Sequence, residues 1–140
     1  MFLPALLRWL PAIIWMAVIF FLSGRPDLPR PESDTANLVL RKSAHFASYM
    51  ALALLYLRGL GGVDRRRGWI ALLLAVAYAA SDEYHQSWTP GREARLTDVL
   101  IDTAGAVAGL LVAPAMRAVI VGKARNSAAD RGPADAETPA

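Results

Sequence analysis

The chain has 140 residues, enough for one compact domain, with 55% hydrophobic residues, 19% charged residues and a formal charge of +3. It has no cysteine, which excludes disulfides and thiolate metal sites. The basic balance does not point to nucleic acid, because the arginines flank apolar blocks and form no patch.

The first apolar block covers residues 3–23 and reads as a retained helix, since its basic start is thin and no small-residue cleavage site follows. Pro4 suits a helix start, Pro11 invites a kink, and Trp9 suits a membrane–water interface. Residues 24–41 hold Pro26, Pro29 and Pro31 and read as a loop, with Ser33 or Asp34 available to cap the next helix. A second helix is expected from about Leu38 to Leu60, ended by Gly59, Gly61 and Gly62. Asp64 and the triplet Arg65-Arg66-Arg67 read as a second loop. A third helix is expected from Trp69, apolar until it meets Ser81-Asp82-Glu83-Tyr84-His85-Gln86. The third loop carries the turn signal Pro90-Gly91 followed by Arg92, and Thr97 is a candidate cap for a fourth helix that reaches about Val121. Residues 1–122 are therefore expected to form the membrane domain, and 123–140, rich in Ala, Asp, Arg, Gly and Pro, a disordered cytoplasmic tail.

The lengths of these blocks carry an argument. A spanning helix needs about 20 residues, and the charge-free cores of blocks two to four fall short of that. Each reaches spanning length only when its polar end is included. In an up-and-down chain those ends are the start of two, the end of three and the start of four, all on one side. The expectation is an all-α bundle of four transmembrane helices with a polar basin in one leaflet. Nine lysines and arginines fall on the side of the termini and six on the other, so the termini are expected in the cytoplasm and the basin outside.

The basin has a specific set of candidates. Lys42, His45 and Tyr49 are spaced i, i+3, i+7 and share a helix face. Glu83 and Gln86 form an i, i+3 pair expected to point inward, ahead of Asp82 and His85. Arg92 offers a planar fork to a phosphate or carboxylate, or a salt bridge to Asp98 or Glu83. Asp98, Asp102, Gly105 and Gly109 lie on one stripe, with the glycines suited to close helix approach and the aspartates to pairing with Lys42, His45 or Arg92. There is no H-E-x-x-H and no helical histidine pair at ligand spacing, so neither a metal nor another cofactor is expected. Ser23, Ser43 and Ser81 lack a nucleophile-elbow frame.

The combined pattern Lys42-x-x-His45-x-x-x-Tyr49-x-x-Leu52, Ser81-Asp82-Glu83-x-His85-Gln86, Pro90-Gly91-Arg92 and Asp98-x-x-x-Asp102-x-x-Gly105-x-x-x-Gly109 resembles the VanZ-like membrane proteins, named for a teicoplanin resistance protein. Phe20-Phe21-Leu22-Ser23 fits that family's first helix. Asp102 departs from it, standing where asparagine is as common or commoner. The resemblance implies a multi-pass protein of the bacterial inner membrane, and a link of some members to low-level resistance to the lipoglycopeptide teicoplanin.

Two readings of the basin follow. In the first, Lys42 and Arg92 hold an anionic envelope-lipid or peptidoglycan-precursor headgroup, such as a polyprenyl phosphate. His45 and Glu83 then form an acid–base pair, Asp98 and Asp102 orient them, and Tyr49 and Gln86 complete the site, with binding and chemistry both open. In the second, the same residues form a structural ion-pair network in a membrane interaction protein. Transport ranks last, because four short helices leave little room for a pathway.

Overall fold

The computed structural model describes residues 3–25, 33–88 and 95–129, all of them helical apart from short caps and turns. Four helices follow one another: α1 (Leu3–Ser23), α2 (Asp34–Leu60), α3 (Arg65–Gln86) and α4 (Leu96–Ala129). The expected all-α architecture is present. α1 and α4 contain windows, Leu6–Ser23 and Leu96–Ser127, long and apolar enough to cross a membrane. Most of each window is exposed, unlike a core helix of a water-soluble protein.

Capping sets the starts of α2 and α3, earlier than the apolar runs alone suggest. Ser33 accepts the Ala36 N–H, so α2 begins at Asp34, four residues before the apolar run. Asp64 accepts the Arg67 N–H at 2.9 Å and its other oxygen takes the Arg67 guanidinium at 2.8 Å. The arginine triplet read as a loop is thus the first turn of α3. The carboxylate offsets the poor match of three cations with a helix N-terminus. Thr97 is not the cap of α4; it lies inside the first turn, with its hydroxyl 3.5 Å from Asp98 Oδ1. α4 also runs through Lys123 to Ala129, beyond the tail boundary expected at 122, because no proline interrupts this alanine-containing stretch; residues 130–140 lie outside the described residues.

α2 ends as its glycines require. Gly61 has φ +79°, and its N–H bonds Arg58 O while that of Gly62 bonds Leu57 O. The most extensive pairing is α2 with α4. A Cβ on Gly105 would overlap the Phe46 carbonyl oxygen, and one on Gly109 would sit 2.5 Å from Met50 O. The two backbones therefore touch along the Gly-x-x-x-Gly stripe. At the opposite end of the bundle Trp9 packs on Gly59 and Tyr56.

The burial pattern is inverted relative to a water-soluble domain. Ala71, Ala75, Ala79, Ala106 and Ala113 line the interior, while Leu73 is 67% and Leu111 75% exposed. Asp82, Glu83, Gln86, Asp98 and Asp102 are buried.

Candidate functional site

The buried polar residues gather where the end of α1, the start of α2, the end of α3 and the start of α4 meet. α2 contributes Lys42, His45 and Tyr49 from a single face. Lys42 makes an ion pair with Asp98. His45 Nδ1 lies 3.1 Å from Asp102 Oδ1. An ionised carboxylate only accepts, so Nδ1 is the donor in that pair. Tyr49 is fully buried, and its hydroxyl has no hydrogen-bond partner among the described residues.

α3 supplies the other half. Asp82, 1% exposed, accepts Ser23 Oγ at 2.5 Å on one oxygen and Gln86 Nε2 at 3.0 Å on the other. Glu83 Oε2 accepts the backbone N–H of Arg95 at 2.9 Å. Glu83 Oε1 and Asp102 Oδ2 are buried with no hydrogen-bond partner among the described residues. Glu83 lies within electrostatic reach of His45, Asp102 and Asp82, and Lys42 within reach of Glu83 and Asp102, so these groups form one cluster. Among the described residues no group of three or more His, Asp or Glu could hold a metal ion.

Of the residues singled out by spacing, Lys42, His45, Tyr49, Glu83, Gln86, Asp98 and Asp102 come together here. Arg92 lies outside the described residues. The salt bridge considered for it, to Asp98 or Glu83, falls outside the described residues with it. Asp82 and Ser23 are more central than their sequence ranking. Asp82 continues the buried small-residue line Ala71, Ala75, Ala79, which marks the interior face of α3. His85 is less central: its ring stacks on Phe20 with centroids 3.9 Å apart.

An all-helical bundle with two long apolar helices, an apolar exterior and a partly buried His–carboxylate and Lys–carboxylate cluster at one end is consistent with a membrane protein. Residues 8–117 match the VanZ/LLP1 family, and the chain belongs to it. No curated protein and no solved structure matches the chain.

Proposed function

We propose that the chain is a multi-pass bacterial inner-membrane protein whose outward-facing polar site binds the headgroup of an envelope lipid or peptidoglycan precursor. The carrying observation is the inverted burial: an apolar exterior surrounds a cluster in which Tyr49 Oη, Glu83 Oε1 and Asp102 Oδ2 have no hydrogen-bond partner among the described residues. A buried polar atom left without a partner is costly, and a headgroup supplies what such atoms lack.

All four helices span in this reading. At 1.5 Å per residue the 22 residues of α3 extend about 33 Å and the 27 of α2 about 40 Å, against a hydrocarbon core of about 30 Å. Their lower apolarity comes from the ends that face the cluster. The charge bias around the loops favours cytoplasmic termini. Since the chain has no cysteine, single cysteines at Ser33, Gly62 and Ser87 report sidedness directly by labelling in intact cells. Labelling of Gly62→Cys from outside overturns this topology.

Within the site, Lys42 and Arg92 attract the anionic part of the headgroup. Asp102 holds His45 in the tautomer that makes Nε2 a proton acceptor, and Glu83 is a second group able to take or give a proton at a bound headgroup. That arrangement serves binding alone or hydrolysis and transfer at the headgroup. Family membership supports a tie to glycopeptide resistance, through a ligand site near the precursors that such antibiotics engage. The test is native mass spectrometry in mild detergent with added bacterial envelope lipids. A retained lipid lost in Glu83→Gln and His45→Asn supports the site, and a lipid whose mass changes with time makes it an enzyme. Equal lipid retention by both folded variants and the wild type overturns it and favours the structural network.

A further inference from the structure

The polar cluster is not sealed on every side. Between the C-terminal half of α1 and the N-terminal half of α2 runs a crevice of about 190 Å³. Its walls are Val18, Ile19 and Leu22 on one side and Ala44 on the other, and Trp15 closes its deep end by donating from Nε1 to Ser48 O at 3.0 Å. Ser23 borders its shallow end, His45 lies about one turn of α2 further in, Tyr49 sits at the deep end beside Ser48, and Arg41 stands exposed at the rim.

Resting on the headgroup reading above, we propose that this crevice is the lateral access route to the site and holds one hydrocarbon chain of a phosphate-bearing membrane lipid. Four observations converge on that occupant. The surface of the crevice is mostly apolar, as a hydrocarbon chain requires. From Ser23 to Trp15 it follows eight residues of α1, about 12 Å at 1.5 Å per residue, close to the depth of one leaflet. Its volume is little above that of a cavity of about 150 Å³ that accepts benzene, so it fits a stretch of one chain and not two. The rim presents a cation, Arg41, at headgroup level.

The experiment uses the full chain in nanodiscs with phosphatidylglycerol carrying a diazirine midway along one acyl chain. After illumination the adducts are mapped by peptide mass spectrometry. Adducts concentrated on the segments around Val18 and Ala44 are expected, with a loss of about tenfold in Ala44→Phe, which fills the crevice. Leu111→Phe, on the lipid-exposed side of α4, is expected to leave the pattern unchanged. Adducts spread evenly over Leu73, Leu111 and the crevice, or unaltered in Ala44→Phe, overturn the proposal. Glu83→Gln run in parallel separates the two ideas. Crevice adducts that persist there at the wild-type level leave a chain groove without a headgroup site. Lipid retention that depends on Glu83, with adducts elsewhere, leaves the headgroup site and removes the groove.

Discussion

Gly105→Ala tests whether the α2–α4 contact is as close as the structure has it. Two effects oppose each other. Alanine is the better helix former by about 1 kcal/mol. Against that, the new Cβ meets the carbonyl of Phe46, a backbone atom of another helix that cannot rotate away. An ordinary C···O approach is about 3.3 Å. The corresponding distance at Gly109 is 2.5 Å, and at Gly105 the overlap is worse, so the helices must part by about 1 Å. Overpacking of this kind costs about 1–3 kcal/mol, and a rigid partner puts it at the upper end. The net effect is a destabilisation of about 2 kcal/mol. Gly122 supplies the control in the same helix: nothing lies within 4 Å of its Cβ position, so Gly122→Ala keeps only the helix preference. The two variants should differ in melting temperature by about 10 °C, read by tryptophan fluorescence in mild detergent. Gly105→Ala should also weaken the site, because Asp102 and His45 flank the contact. A 1 Å separation would stretch their 3.1 Å bond past the usual limit of about 3.5 Å. If Gly105→Ala melts at or above Gly122→Ala, the close contact is wrong, and with it the route by which the glycine stripe positions Asp102.

The remaining predictions concern single polar contacts. Asp102→Asn should fold, yet release the His45 tautomer, because an amide can donate as well as accept; ¹⁵N-histidine NMR should show Nδ1 losing its fixed proton, and an unchanged tautomer would remove Asp102 from that role. Lys42→Ala leaves the largely buried Asp98 without its cation and should destabilise by about 3 kcal/mol, mostly recovered in Lys42→Ala/Asp98→Ala; a melting-curve cycle with no coupling would dismiss the pair. Asp64 should make the α3 start sensitive to acid. The Arg67 backbone N–H, followed by its guanidinium, holds the carboxyl below the ordinary carboxylate range. A lowered folded value gives stability present above the unfolded value and lost as pH falls through the folded one. The melting advantage of wild type over Asp64→Asn should therefore shrink below about pH 4, and a constant gap would discount the charge.

What the sequence could carry was periodicity. The spacing of Lys42, His45 and Tyr49 and the stripe from Asp98 to Gly109 describe faces of single helices, and the structure puts those two faces against each other through Gly105 and Gly109. Helix starts were less legible, since apolar blocks record where a side chain meets lipid and not where backbone bonding begins. Ser33, which the sequence does offer as a cap, and Asp64, which reads there as loop, decide the starts of α2 and α3 by accepting one N–H each outside the apolar runs. Asp82 was undervalued for a related reason. Its spacing to Gln86 suits a helix pair, but only the alanine line from Ala71 to Ala79 shows which face is interior, and small residues are a weak signal when every face is apolar.

The distribution of polar bonds follows from what each helix pair lacks. α2 and α4 approach through glycine, and their polar pairs, Lys42–Asp98 and His45–Asp102, sit beyond the stripe where the helices reach the site. α1 and α3 have the slightest packing of the contacting pairs. They are tied by Ser23 Oγ to Asp82 at 2.5 Å and by Tyr78 Oη to the Met16 carbonyl at 2.6 Å. In a lipid surrounding, apolar contact between helices gains little over apolar contact with lipid, so small-residue packing and hydrogen bonds must hold the bundle. α1 has no glycine stripe within its span and rests chiefly on α2. It is therefore the helix whose displacement disturbs the fewest interior contacts. Its hydrogen bond to Asp82 ends at the same serine that borders the α1–α2 crevice. Any outward movement of α1 that widens the crevice must strain the Ser23–Asp82 bond, so access from the bilayer and the order of the polar cluster are mechanically linked.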